Sequence, residues 1–165
     1  MSSTFSFDIV STYDKAEMNN VVMSAQREIA TRYDFKNTPA NLEWLGDKDG
    51  LKLTAGSDWQ LESITDIVRK NLANRSLTSA VLDLTRTPVT TNMKVTQEIP
   101  FIEGLDQDKA KAITKLLRDE LPKVKPTIQG DAVRVVSSSK DDLQKAMQLV
   151  TSHGFDFPVN FTNYR

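Results

Sequence analysis

The segment Ile128–Val135, with the sequence IQGDAVRV, decides the fold that this chain is expected to adopt. Two short runs with alternating apolar residues flank the pair Gly130-Asp131, which is typical of a β-hairpin with a tight turn. After a serine-rich break, apolar residues return at helical spacing between Leu143 and Val150. The segment therefore predicts a strand, a turn, a second strand and a helix.

The same pattern occurs earlier in the chain, displaced by 82 positions. At this shift Leu51–Thr54 aligns with Val133–Val136 without a gap, and Lys52 falls on Arg134. The serine that opens the helix recurs, and the apolar residues of the helix stay in phase. Because each copy is preceded by a further strand and helix, we predict a β-α-β-β-α-β unit that occurs twice.

Two such units predict an α+β protein of two tandem ferredoxin-like domains, each an antiparallel sheet with both helices on one face. A proline among threonines at 85–91 favours extended chain and is the expected linker. We therefore expect one domain over 1–87 and the other over 88–165. The strand before the linker is expected at 80–84, and the last strand at 157–164.

Composition limits the classes of function. The chain carries 21 basic and 22 acidic residues, and its net charge of −1 argues against binding of nucleic acid through bulk charge. The absence of cysteine excludes disulfides, thiol nucleophiles and zinc–thiolate sites. A single histidine, His153, leaves no partner for a histidine metal cluster. We expect no metal site and no cofactor.

The sequence also lacks the features of secretion and membrane insertion. Its first residues contain neither a basic region nor an apolar core segment, and no later stretch is long and apolar enough to span a bilayer. We therefore expect a cytoplasmic protein with no membrane partner.

No catalytic arrangement is visible. The two commonest glycine-rich nucleotide motifs are absent. The paired carboxylates of Asp141 and Asp142 fall in the first turn of a predicted helix, where they favour the helix dipole. No nucleophile is paired with a base, so we predict a binding protein and not an enzyme.

Candidate ligand residues cluster at the end of the first predicted helix, where Arg32, Asp34 and Lys36 alternate with Tyr33 and Phe35. Arginine can bond guanine O6 and N7, and a carboxylate can accept the guanine N1 and N2 protons. The same residues equally fit a structural role, in which the cations complement the helix C-terminus and the rings fill the edge of the core. Both interpretations stay open.

A second set of candidates lies on the predicted helix-free faces of the sheets. Strand alternation places Asp8, Lys52 and Arg134 there. These positions hold no aromatic ring, which argues against the RNA-recognition mode that stacks bases on the central strands. Arg134 has no acidic neighbour in sequence, so it is either solvated or kept for an anion.

Several segments together resemble the YajQ family of bacterial proteins, and they keep their order along nearly the whole chain. They are FDIVS at 7–11, REI at 27–29, RYDFK at 32–36, IQG at 128–130, VRV at 133–135, DDLQ at 141–144 and NYR at 163–165. The resemblance implies two ferredoxin-like domains that can exchange their first strands. Lys140 departs from the arginine expected before DDLQ, so charge is kept but bidentate recognition is not.

The resemblance further implies a nucleotide-binding protein and not an enzyme. Some members act as cyclic di-GMP receptors that engage a transcription regulator, so cyclic di-GMP or another guanine nucleotide is the expected ligand. Arg134, Lys52 and Arg165 would supply cationic donors. Arg32 and Asp34 would recognise a base.

Two other classes of function stay open. The first is an adaptor that binds RNA or DNA through phosphate contacts, whose affinity should fall steeply with salt. The second is a protein-interaction scaffold, for which no nucleotide would shift the melting temperature.

Overall fold

A computed structural model describes residues 4–165, which form four α-helices and eight β-strands. In chain order these are β1 (Phe5–Val10), α1 (Lys15–Thr31), β2 (Asn41–Leu45), β3 (Gly50–Ala55), α2 (Asp58–Asn74), β4 (Val89–Thr91), β5 (Lys94–Pro100), α3 (Gln107–Glu120), β6 (Lys125–Gln129), β7 (Ala132–Ser137), α4 (Lys140–His153) and β8 (Asn160–Thr162). Short 3-10 helices lie at Tyr33–Phe35 and Ser79–Val81. The order is β-α-β-β-α-β twice, as predicted.

The strands form two antiparallel sheets, with the orders β6-β7-β1-β8 and β2-β3-β5-β4. Strand β1 pairs with β7 and β8, and β5 pairs with β3 and β4. Each repeat therefore places its first strand in the sheet of the other repeat. The predicted α+β class with two ferredoxin-like units is confirmed, and the first strands are exchanged.

The chain divides into two compact units. Unit 1 comprises the segment that ends at Thr12 together with Glu103–Arg165, and unit 2 comprises Tyr13–Ile102. These ranges differ from the expected domains 1–87 and 88–165, because each boundary follows an exchanged strand and not the end of a repeat. The expected linker at 85–91 contains β4, which pairs with β5.

One strand prediction needs correction. The segment 80–84 holds part of a 3-10 helix and one isolated bridge between Leu82 and Phe101, although a strand was expected. Its apolar residues Val81 and Leu82 are buried, and periodicity alone does not distinguish a short buried strand from other buried segments. The last strand covers Asn160–Thr162 within the expected range.

The helices begin where the sequence places capping residues. Asp14, Ser57, Asp106 and Ser139 each accept a hydrogen bond from a backbone amide of the first helical turn. Within residues 4–165, none of the helices could cross a lipid bilayer by its length and apolar character. Gly130 lies in the β6–β7 turn with φ 61°, as the hairpin prediction requires.

Candidate functional site

The predicted cation Arg134 has a carboxylate partner. Arg134 on β7 lies directly opposite Asp8 on β1, and its Nε donates to Asp8 Oδ1 at 3.0 Å. Asn163 Nδ2 donates to Asp8 Oδ2 at 2.9 Å, and Asp8 is only 6% exposed. The hydrogen bonds from Arg134 and then Asn163 lower the pKa of the Asp8 carboxyl, although burial acts to raise it. Arg134 is therefore one partner of an ion pair with Asp8, and its role as a ligand residue stays a prediction.

The matching cation of unit 2 lies among acids. Lys52 on β3 stands opposite Glu43 on β2 and Glu98 on β5, and it is exposed. Glu98 Oε1 lies 3.6 Å from Arg86 Nη1. Because two carboxylates flank Lys52 across the strands, the local charge does not favour an anionic ligand at this position.

The cluster at the end of α1 is also engaged internally. Arg32 donates to both oxygens of Asp34, at 3.0 and 2.7 Å, and this bond lowers the pKa of Asp34. The guanidinium of Arg32 lies 4.8 Å from the ring centroid of Phe35, which is buried. Lys36 is exposed. This arrangement favours the structural interpretation, since Arg32 and Asp34 satisfy each other.

Unit 1 contains a better candidate, a groove between the start of β1, helix α4 and the segment after β8. We name it the α4 pocket, and its volume is about 310 Å³. Its lining residues are Phe5, Ser6, Lys140, Leu143, Gln144, Met147, Tyr164 and Arg165. Two predicted site residues, Lys140 and Arg165, meet here, and no acidic side chain is among the lining residues.

One wall of the α4 pocket is a single helix face. Four lining residues of α4 follow the spacing i, i+3, i+4 and i+7, namely Lys140, Leu143, Gln144 and Met147. The Lys140 ammonium lies 5.0 Å from the centroid of the Phe5 ring on β1. Ser139 caps α4, and Lys140 is the first residue of this helix.

The other wall is the segment after β8. Tyr164 stacks on Phe7 with an interplanar angle of 27° and a centroid distance of 6.3 Å. Its hydroxyl donates to Met147 Sδ at 3.7 Å, although the residue is 62% exposed. Ser6 and Arg165 exchange two backbone hydrogen bonds, of 3.2 and 3.0 Å, which hold this wall against β1.

The pocket thus combines three kinds of group that suit a nucleotide. Lys140 and Arg165 carry positive charge for a phosphate. The rings of Phe5 and Tyr164 offer faces on which a base could stack. Gln144 adds an amide that both donates and accepts hydrogen bonds.

Sequence reasoning missed most of these residues. Phe5, Gln144, Met147 and Tyr164 were not predicted as ligand residues, although Gln144 and Met147 follow Lys140 at helical spacing. That spacing was a usable signal, whereas the approach of the segment after β8 was not visible in the sequence. Within the part of the chain that the structure describes, no group of three or more acidic, histidine or cysteine residues could hold a metal ion.

Comparison with known proteins places the chain in a family. The family model described as "Nucleotide-binding protein YajQ-like" matches residues 5–165. A protein of Trichodesmium erythraeum is 41% identical over 165 residues, which cover all of both chains. A protein of Nocardioides sp. is 42% identical over 161 residues, which cover 97% of this chain and 98% of the relative. A third, from Chloroherpeton thalassium, is 36% identical over 165 residues and all of both chains. All three are named nucleotide-binding proteins, and the chain belongs to the YajQ family.

Proposed function

We propose that this protein is a non-catalytic, cytoplasmic nucleotide receptor that binds cyclic di-GMP, or another guanine nucleotide, in the α4 pocket. It would pass occupancy of the pocket to a protein partner such as a transcription regulator. The observation that carries the proposal is the meeting of Lys140 and Arg165 with the rings of Phe5 and Tyr164 around one groove. The names of the relatives and the family resemblance support a nucleotide as the ligand.

The chemistry of the lining suits one nucleotide half. A volume of about 310 Å³ lies near the lower limit of small-molecule pockets, so one base and one phosphate would occupy it. The ammonium of Lys140 would neutralise the phosphate. The guanidinium of Arg165 could bond guanine O6 and N7 in bidentate fashion, and Tyr164 would stack on the base.

The same lining argues against turnover. Among the lining residues of the α4 pocket, no side chain carries a carboxylate or an imidazole that could act as a general base. Cyclic di-GMP, GTP and ATP incubated with stoichiometric protein and magnesium should therefore be recovered unchanged by chromatography. Saturable hydrolysis that is lost in Asp141→Asn or Asp142→Asn would show that these helix-end carboxylates are catalytic.

Thermal shift and calorimetry across mono-, di- and cyclic dinucleotides test the ligand, because a ligand specific to the folded state raises the melting temperature. We expect Lys140→Ala and Arg165→Ala to weaken binding about tenfold each, as for the loss of one hydrogen bond to a charged group. Lys145→Ala is the matched control, since it removes the same charge from α4 outside the pocket.

The outcomes separate the classes of function. Unchanged affinity in both pocket variants, with the fold intact, would refute the location. Displacement of the dinucleotide by RNA or DNA, with a steep dependence on salt, would favour a nucleic-acid adaptor. The absence of any nucleotide effect on the melting temperature would favour a protein-interaction scaffold.

A further inference from the structure

The pairing of β8 with β1 slips by one residue next to the α4 pocket. Asp8 pairs with Thr162 in the regular ladder. The next backbone hydrogen bonds join Ser6 to Arg165, in both directions. The move from Asp8 to Ser6 is two residues along β1, whereas the move from Thr162 to Arg165 is three residues along the paired segment. This extra residue is a β-bulge.

The bulge changes which face each side chain occupies. In a regular strand Tyr164 would lie opposite Ser6, on the helix-free face of the sheet. Instead Asn163 donates to Asp8 on that face, and Tyr164 stacks on buried Phe7 on the face that carries the helices. Without the bulge, Tyr164 would be turned away from the pocket that it lines.

Two features of Asn163 maintain the bulge. Its backbone is left-handed, with φ 56°, a conformation that asparagine tolerates and β-branched residues resist. Its side-chain amide donates to the Asp8 carboxylate at 2.9 Å. Arg134 in turn donates a hydrogen bond to Asp8, so the interactions that stabilise the bulge lie on the helix-free face of the sheet.

We propose that Asn163 and Asp8 are positioning residues of the α4 pocket, because the bulge that they maintain aims Tyr164 into it. Neither residue lines the pocket. The inference adds to the proposed nucleotide site and rests on it for its functional consequence.

The first test needs no nucleotide. The Tyr164 hydroxyl bonds Met147 Sδ, so the ring current of Tyr164 should shift the Met147 methyl resonance in protein labelled with 13C at the methionine methyls. Met147→Leu identifies the signal among the five methionines. Valine resists φ > 0, so Asn163→Val should remove the bulge and turn Tyr164 away from Met147. We therefore expect the Met147 methyl signal of Asn163→Val at the position found in Tyr164→Ala.

Variants that remove only the anchoring hydrogen bond should give a smaller shift. Glycine adopts φ > 0 freely, so Asn163→Gly keeps the bulge and loses only its bond to Asp8. Asp8→Ala removes the same bond. The double variant Asp8→Ala/Asn163→Gly should therefore shift the Met147 methyl signal no further than either single variant. Thr162→Ala, next in sequence but outside the pocket, is the control and should leave the signal in place.

The second test uses cyclic di-GMP in calorimetry, at a temperature where every variant is folded by circular dichroism. We expect affinity to fall about tenfold in Asn163→Val, as in Tyr164→Ala, and about threefold in Asn163→Gly. A purely structural role would give losses of affinity that follow the melting temperatures of the variants.

An unshifted Met147 signal in Asn163→Val overturns the positioning inference whether or not a nucleotide binds. Equal losses of affinity in the valine and glycine variants also overturn it. If the signal shifts as expected but wild-type protein binds none of the nucleotides, the positioning of Tyr164 stands and the proposed function fails.

Discussion

The helix-free faces of the two sheets share one arrangement of opposite charges, but the contacts between these charges differ. In each sheet the exchanged first strand brings an acid opposite a cation on its neighbour, Asp8 opposite Arg134 and Glu98 opposite Lys52. The first pair forms an ion pair of 3.0 Å around a buried carboxylate that Asn163 also contacts. The second pair shares only its register, and both residues are exposed. Register alone therefore does not make an ion pair.

The difference has a physical reason. A carboxylate removed from water is costly unless charged and polar donors replace its hydration, and Asp8 has both. Once buried, the pair is costly to break, because the remaining charge has lost its partner. An exposed pair is screened by water and contributes little.

The largest expected effect comes from breaking the buried pair. Asp8→Ala should lower the free energy of unfolding by about 1.5–3 kcal/mol, the range for hydrogen bonds to a charged group. Lys52→Ala, at the matching cation of unit 2, should change it by less than about 0.5 kcal/mol. Urea denaturation of both variants measures the contrast. Equal losses would show that burial does not distinguish the two faces.

A second contrast concerns glycine beside an exchanged strand. A Cβ on Gly50 would lie 2.8 Å from Ile99 O and 2.9 Å from Pro100 Cα, which are backbone atoms of β5. Gly50→Ala should therefore destabilise the protein by about 1–3 kcal/mol through overpacking. The repeat places Ala132 at this position of unit 1, and Ala132→Gly should cost about 0.5–1 kcal/mol. If thermal or urea denaturation shows no loss of stability in Gly50→Ala, the backbone of β5 shifts readily to make room for the methyl group.

The turns of the hairpins sharpen the comparison further. Gly130 has φ 61° with no atom within 4 Å of an added Cβ, so only backbone strain opposes a side chain. Gly130→Val should cost about 1–2 kcal/mol, and Gly130→Asn less, since asparagine tolerates this conformation. Urea denaturation of both variants measures the ranking. Equal costs would contradict backbone strain as the cause.

Acid titration tests the Asp8 pair without changing its shape. Because the Arg134 and Asn163 bonds lower the Asp8 pKa in the folded state, their stabilisation is fully present above the unfolded pKa. It should be lost as the pH falls below about 4, through the folded pKa. The difference in free energy of unfolding between wild type and Asp8→Asn should therefore shrink below that pH. A difference that stays constant down to pH 2 would contradict the assigned pKa direction.

The sequence by itself determined the local structure and the class. Alternating apolar residues, the Gly130-Asp131 turn and the four capping residues specify elements through interactions a few residues long. The internal repeat then predicted two β-α-β-β-α-β units, and the ordered motifs pointed to the family. Lys140 and Arg165 of the candidate site were found in this way. The strands, the turn and the helix caps can be predicted from the sequence because residues close in sequence make the contacts that define them.

Tertiary structure alone decided the rest. The exchange of β1 and β5 shifts the boundaries of both units from the predicted domain boundaries. No local sequence pattern indicates which sheet a strand will join. Asp8 meets Arg134 across 126 positions, and Tyr164 reaches Met147 only through the bulge at Asn163. Strand pairing over such separations is governed by the summed burial and hydrogen bonding of whole sheets, and single residues do not encode it. The same pairing places Arg134, a predicted ligand cation, in an ion pair with Asp8 and forms the α4 pocket in the same unit.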